Sequence, residues 1–428
     1  MARRYFGTDG VRGVVGQDLT PELVGRLGKA FARWSGPAQV LLGRDTRASG
    51  PELEAALAAG LTAGGATATL GGVLPTPAVA LLSDEHAGVI SASHNPPEYN
   101  GVKFFRDGRK LTDAQEEEIE ALLEDVSLPS GAGTTSAAPS SLAQRYVEIV
   151  CERFGGPLEG LRVAVDCANG AMFEVAPAAF AQLGATVVNI GNEPDGQNIN
   201  VGCGATDLGL LSRTVAAGEF ELGVAFDGDG DRMLAVDAEG HEIDGDQILA
   251  VLALHLGVKL VAVTSMTNLG FHRLMDEQGV RVLTTDVGDR YVFEALTEHD
   301  GVLGGEQSGH LMYLDGHTTG DGLVAAILLC GAVRAERAPL GDLVAVMPRF
   351  PQVKENVPVR STEVSADVLA AVERLNEELA GRGRVLVRPS GTEPVIRVLA
   401  EAENAAFAAE LCGKVSSLVR ESSATAGL

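Results

Sequence analysis

Aromatic residues are scarce in this chain, at 4% with a single tryptophan, Trp34, and basic residues are in deficit, 33 against 58 acidic ones. The formal net charge of -25 repels phosphate backbones and anionic lipid headgroups, which argues against a general nucleic-acid or membrane-surface role. The five cysteines, Cys151, Cys167, Cys203, Cys330 and Cys412, are scattered, with no pair at zinc-like or redox spacing. They read as reduced, buried thiols of a cytoplasmic protein rather than a disulfide framework. Long hydrophobic runs are missing too. The longest uncharged apolar stretch, Leu323 to Val333, falls short of the ~20 residues a bilayer demands and reads as a buried helix. "MARRYFGTDG" has no apolar segment behind its arginines and is not a secretory signal. What is abundant is glycine, 53 residues, in a chain of 428 that is 45% hydrophobic. Such a chain is too long for one core, so several turn-rich α/β domains are expected.

Strand-like runs ending in Asp and Gly, "LRVAVDCANGA" and "LGVAFDGDGDRMLAV", flank a helix-like "VAPAAFAQLGA". A weak long-range repeat extends this alternation. Helix-like segments reach Gly65, Gly184 and Gly279, each followed by a strand-like run, and glycine there suits a helix C-terminal cap. Between Asp125 and Ser141, "DVSLPSGAGTTSAAPSS" carries neither period and marks a domain boundary. After Arg349 the texture becomes that of a smaller α+β domain. The expected domains are 1–142, 143–245, 246–349 and 350–428.

Four short segments carry chemistry. In "VISASHNPPEYNGVKFF" a buried-strand pattern ends at Ser93, and the prolines at 96 and 97 hold the following loop at the strand end, where open α/β sheets place ligands. A serine and an asparagine there also satisfy an ordinary turn. A protease-like pairing with His94 is not expected, because adjacent residues on an extended chain point apart. In "VAFDGDGDRM", Asp227, Asp229 and Asp231 repel one another unless a cation neutralises them. Hard oxygen ligands with open positions favour Mg²⁺. Arg232 and Ala238 occupy the positions of an EF-hand's glycine and bidentate glutamate, which excludes that motif. In "RVLVRPSGTEPVIRVLAE", Arg388, Ser390, Thr392, Arg397 and the backbone around Gly391 form a candidate phosphate clamp, although Pro-Ser-Gly-Thr is also good hairpin chemistry. In "GGEQSGH", Glu306, Ser308 and His310 suit sugar hydroxyls. Arg12, Arg44 and Arg47 add local positive charge, each alone being an ordinary structural ion-pair former. No P-loop or dinucleotide fingerprint is present, so the phosphoryl group must come from the protein or the substrate.

With "YFGTDGVRG", "GRDTRASG", "VDCANGA", "VGDRYV" and "TTGDG", these segments occur in an order that resembles the α-D-phosphohexomutase family over nearly the whole chain. "CGATDLG" departs from that pattern in lacking a histidine near Asp207. The resemblance implies three related α/β domains plus a smaller C-terminal α+β domain around a central cleft. It implies that Ser93 carries the phosphoryl group, that Ser93, Asp227, Asp229 and Asp231 hold one Mg²⁺, and that Lys103 and Arg232 assist catalysis, Lys103 as a base only if its pKa is lowered. Arg12, His94, Glu306, Ser308 and His310 are implied in substrate binding, and Arg388, Ser390, Gly391, Thr392 and Arg397 in holding the distant phosphate. The implied activity is isomerisation of a sugar phosphate through a 1,6-bisphosphate, with glucose or glucosamine 1,6-bisphosphate as primer. "GEQSGH", "VGDRYV" and "FGTDGVRG" favour glucosamine over mannose or glucose. A homodimer is implied as well. Two other classes are open from the residues alone: a haloacid dehalogenase-like enzyme with Asp227 as nucleophile, and a non-catalytic sugar-phosphate sensor.

Overall fold

The computed structural model describes residues 4–7, 9–124, 132–390 and 394–425. Strands His86–Ile90, Leu222–Phe226 and Leu303–Gly305 are largely apolar runs buried at every position, which suits central strands of sheets covered by helices. The first sheet runs, in spatial order, Val11–Val14, Tyr99–Arg106, His86–Ile90, Gln39–Arg44, Thr67–Val73 and Thr135–Ala137, with Arg109–Lys110 paired to Tyr99–Arg106. The second runs Glu242–Ile243, Met233–Asp237, Leu222–Phe226, Arg162–Asp166 and Thr186–Ile190, and the third Arg281–Thr285, Leu260–Thr264, Leu303–Gly305 and Leu311–Tyr313.

One topology is repeated in all three. Three neighbouring strands run parallel, and the third in sequence, His86–Ile90, Leu222–Phe226 or Leu303–Gly305, is followed by a loop and an antiparallel partner. Those three loops hold Ser93, the Asp227–Asp231 triad and Glu306. The expected glycine repeat is present as well. Gly65, Gly184 and Gly279 each follow a helix with φ of 101°, 90° and 68°, a left-handed conformation that is cheap only for glycine.

The stretch 125 to 141, which carries no strand period in the sequence, does contribute a strand, and it lies within the expected first domain 1–142. Residues 125–131 lie outside the described part, but Thr135–Ala137 form a parallel strand against Thr67–Val73. The three residues are exposed, so this edge strand has no buried face to imprint a hydrophobic period on the sequence.

The chain forms two compact units, Met1–Met266 with Val280–Ala345, and Thr267–Gly279 with Val346–Leu428. The first contains the three sheets. The long apolar run lies on helix Gly322–Glu336, buried over most of its length as expected. The second contains the antiparallel sheet Gln352–Pro358, Val395–Ala402, Gly383–Pro389, with helices Ala366–Leu379 and Ala405–Thr425 packed through Val368, Val372, Leu411 and Val415. Helix Leu269–Glu277, which lies between two strands of the third sheet in sequence, belongs to this second unit. There Asn268 accepts from Phe350 N (3.0 Å) and donates to Phe350 O (2.9 Å).

Candidate active site

Strand His86–Ile90 is wholly buried, and Ser93 lies three residues beyond it, 1% exposed, with φ at +52°. That conformation is costly for a residue with a Cβ and persists only where its surroundings enforce it. Arg47 provides much of the enforcement. Its fully buried guanidinium pairs with Asp45 (2.8 Å) and donates to the carbonyls of Ser93 (3.0 Å), Asn95 (2.8 Å), Pro96 and Tyr99 (3.0 Å). Asn200 Nδ2 adds a bond to Ser93 O (2.9 Å), and Ser93 N donates to Ser91 Oγ (2.9 Å). The left-handed turn corrects one expectation. Because the chain is not extended there, His94 Nδ1 comes within 3.2 Å of Ser93 Oγ. Burial, with Arg232 and Arg12 nearby, pushes the His94 imidazole down to about 4.

Ser93 Oγ donates to Asp227 Oδ2 at 2.6 Å. Asp227, Asp229 and Asp231 are buried, and each offers a carboxylate oxygen within 4.8 Å of the others. Asp227 Oδ1 accepts from Arg232 N (3.2 Å), whereas Oδ1 of Asp229 and of Asp231 has no hydrogen-bond partner among the described residues. Oδ1 of Asp231 faces only the more distant His310 (3.7 Å) and Arg232 (3.9 Å), and Oδ1 of Asp229 accepts from no donor among the described residues, so three clustered carboxylates with unfilled oxygens fit a hard divalent metal ion. Burial, then the charges of Asp229 and Asp231, raise Asp227 to about 8. Burial would raise Asp231 too, but Lys103 and His310 outweigh it and hold that carboxyl well below the ordinary range. The loop needs its glycines. A Cβ on Gly228 would lie 2.6 Å from Ser93 O and 2.9 Å from Asn200 Nδ2, and Gly230 has φ at +74°.

Lys103, on strand Tyr99–Arg106, is 2% exposed, with Nζ 2.8 Å from Asp229, 2.9 Å from Asp9 and 3.5 Å from Asp231. Burial alone would lower its pKa, but these carboxylates raise it above the usual lysine range. The lowered value required of a base is therefore not what this structure shows, and Lys103 stands in it as an ammonium. Asp9 also pairs with Arg12 and with Lys110 (2.6 Å), and Lys110 in turn pairs with Asp289. His310 stands between Asp231 (3.7 Å from Nδ1) and Asp289 (3.4 Å from Nε2). Burial opposes the charge on this imidazole, yet the two carboxylates raise its pKa above the ordinary histidine value. Glu306 is raised by burial, and Ser308 is exposed at the loop tip.

Sequence reasoning missed Asp9, Lys110 and Asp289, and gave Arg47 no role in the serine loop. Asp9 and Asp289 sit inside segments that were singled out, "GTDG" and "VGDRYV", but only chain closure shows that they share a lysine.

In the second unit, Arg388 and Arg397 are paired directly across antiparallel strands, and Arg397 donates to Ser390 Oγ (3.2 Å). Burial and then the Arg397 charge lower the Arg388 pKa. Two guanidiniums side by side repel, so an anion is their natural third member. Gly391 and Thr392 lie outside the described residues.

Models of the four phosphoglucomutase/phosphomannomutase domains match this chain: domain I over residues 3–129, domain II over 144–240, domain III over 244–350 and the C-terminal domain over 352–418. The chain belongs to the α-D-phosphohexomutase family. Membership accounts for its three α/β domains and smaller C-terminal domain, and makes it an enzyme of the isomerase class. A relative from Pelotomaculum thermopropionicum, named phosphoglucosamine mutase, is 47% identical, with 97% of this chain and 99% of that one covered. The crystal structure of a phosphoglucomutase/phosphomannomutase family protein from Burkholderia thailandensis superposes with a TM-score of 0.81 at 26% identity, over 96% of each chain. At 17% identity, N-acetylphosphoglucosamine mutase of Aspergillus fumigatus, crystallised with GlcNAc-6P and magnesium, shares the fold at a TM-score of 0.68 over 98% of this chain and 96% of that one.

Proposed function

We propose that this phosphohexomutase interconverts glucosamine 6-phosphate and glucosamine 1-phosphate, with Ser93 as the phosphoryl carrier. The observation that carries the reading is the buried Ser93 hydroxyl, held 2.6 Å from Asp227 beside two aspartate oxygens that accept no hydrogen bond among the described residues. The choice of sugar rests on the 47% identical relative's name. Asp227, Asp229 and Asp231, with a phosphate on Ser93, are the residues that would hold Mg²⁺, which the Aspergillus enzyme also carries. When bound, that ion supplies positive charge against the charge that develops on a transferring phosphoryl group.

The rest is done by side chains. In the first half-reaction the bond from phosphorus to Ser93 Oγ breaks, and a new one forms to the free sugar hydroxyl. That hydroxyl's proton passes to a nearby base, and Ser93 oxygen is left to be re-protonated. Transfer of the other phosphate back to Ser93 completes the isomerisation. Lys103, an ammonium here, and Arg232 stabilise negative charge, and His310, held between Asp231 and Asp289, is assigned with Glu306 to substrate binding. Glu306 and Ser308 are assigned to sugar hydroxyls, with Arg12 and His94 lining the serine side. Arg388, Ser390 and Arg397, with Gly391 and Thr392, are assigned to the phosphate not in transfer. A trace of glucose or glucosamine 1,6-bisphosphate would prime the serine.

The test is ³¹P NMR of the protein with Mg²⁺ and primer, offered glucosamine, glucose and mannose 6-phosphates separately. A 1-phosphate signal growing fastest from glucosamine is expected, and Ser93→Ala should slow it by roughly 10³-fold or more. Faster conversion of mannose or glucose would overturn the substrate, and no 1-phosphate from any sugar would overturn the reaction.

A further inference from the structure

Tyr146 lies on helix Leu142–Phe154, is 0% exposed, and was singled out by no sequence motif. Its hydroxyl donates to the Asp321 carboxylate, at 2.8 Å from Oδ2 and 2.9 Å from Oδ1. Asp321 is buried and caps helix Gly322–Glu336, accepting from Leu323 N (2.9 Å) and Val324 N (3.1 Å). Its fourth donor is His317 Nε2, at 3.0 Å. The His317 proton belongs on Nε2, because Nδ1 already accepts from the backbone of Thr318 (2.8 Å) and Thr319 (3.2 Å). The same helix braces this segment further along. Arg153 donates to Gly316 O (2.8 Å), and the Phe154 ring packs 6.0 Å from His317 and 6.1 Å from Tyr313, centre to centre.

The segment held in this way forms a wall of the candidate active site. Gly322 N donates to Gly230 O (3.0 Å), inside the aspartate loop, and a Cβ at Gly322 would lie 2.6 Å from Arg232 O. Gly320 lies so close to the His310 ring that a Cβ there would overlap Nε2. Asp321 N donates to Leu311 O (3.1 Å), next to His310. One buried carboxylate with four donors therefore sets a backbone that touches both the aspartate loop and the His310 ring. A fully satisfied buried network of this kind has one arrangement, and removing a donor loosens it.

We propose that Tyr146 is a positioning residue of the phosphoryl-transfer site: through Asp321 it fixes residues 317–322, and these fix the His310 ring and the turn of the aspartate loop at Gly230. The inference rests on the mutase reading for its catalytic consequence, but not for its structural one.

The experiment is Tyr146→Phe, which removes one oxygen from a filled site. With glucosamine 6-phosphate, kcat is expected to fall about 10- to 100-fold, with KM within about twofold, because no group touching the sugar is lost. The second readout is independent of turnover: in protein labelled with ¹⁵N-histidine, the ring resonances of His310 and His317 should shift in Tyr146→Phe while His255 and His299 stay in place. If Tyr146→Phe does not fold, Asp321→Asn, which keeps an acceptor for the helix cap, takes its place with the same expectation. Unchanged kcat with unmoved His310 resonances overturns the proposal. Absence of turnover in the wild type would overturn the mutase reading instead, and the His310 resonances would still decide the positioning.

Discussion

Ser93 is held left-handed by bonds to its own carbonyl and to those of Asn95, Pro96 and Tyr99, and the nearest intruder is the backbone of the aspartate loop. Gly228 is the point of contact. A methyl group there would lie 2.6 Å from Ser93 O, a distance real Cβ contacts do not show, and the neighbour is backbone that cannot swing aside. Gly228→Ala should therefore displace Ser93 relative to Asp227 and cost about 10²-fold or more in kcat. The unfolding midpoint should fall as well, by an amount corresponding to about 1–3 kcal/mol of overpacking. Mutase rate and urea denaturation on the same preparation check both, and a fast, stable variant would show that the loops are free to part. The residues named from sequence, Ser93 and the three aspartates, were legible because their spacing and strand-end position are local properties. The charge state of Lys103 and the approach of His94 to Ser93 were not. The first depends on Asp9, which is far away in the chain, and the second on a φ value that no neighbouring residue announces.

The elements themselves were mostly legible, since a buried parallel strand writes an apolar run and a helix end writes a glycine. Strand Thr135–Ala137 was not, because an exposed edge writes neither. Helix Leu269–Glu277 was readable as an element but not in its allegiance, which is set by Asn268, by Leu269 N donating to Glu401 (3.2 Å) and by Arg273 over the Phe350 ring (4.5 Å). That docking has a consequence for pH. His272 on this helix is pushed down to about 4, first by burial and then by the Arg384 guanidinium, and its Nε2 is buried without a partner among the described residues. A histidine whose folded pKa lies below its unfolded value contributes nothing adverse above pH ~6.5, and costs stability as pH falls from there towards 4, where the unfolded chain binds the proton and the folded one does not. The full cost is about 3 kcal/mol. His272→Leu should accordingly match or modestly exceed the wild type at pH 7.5 and exceed it by a wider margin at pH 5 in urea unfolding followed through the second unit. A margin that does not widen on acidification would refute the assignment.

At the scale of the molecule, the two compact units do not coincide with two continuous pieces of chain. A fragment beginning at Val346 contains the whole antiparallel sheet but lacks Thr267–Gly279, and with it both bonds from Asn268 to Phe350 and one of the donors to Glu401, Leu269 N. Such a fragment should be less stable by about 1–3 kcal/mol than one in which residues 267–279 are joined to it by a flexible linker, as judged by urea midpoints. Equal midpoints would mean that the helix contributes nothing to the unit.

The same interruption sets a schedule for synthesis. Asn268 emerges 82 residues before Phe350, the residue whose backbone it binds on both sides. At translation rates of ~5–20 residues per second, the wait is roughly 4 to 16 s. A nine-residue helix cannot persist alone in water for that time, so the Phe271 side chain, fully buried at the end, is on offer to chaperones while the third sheet is already pairing.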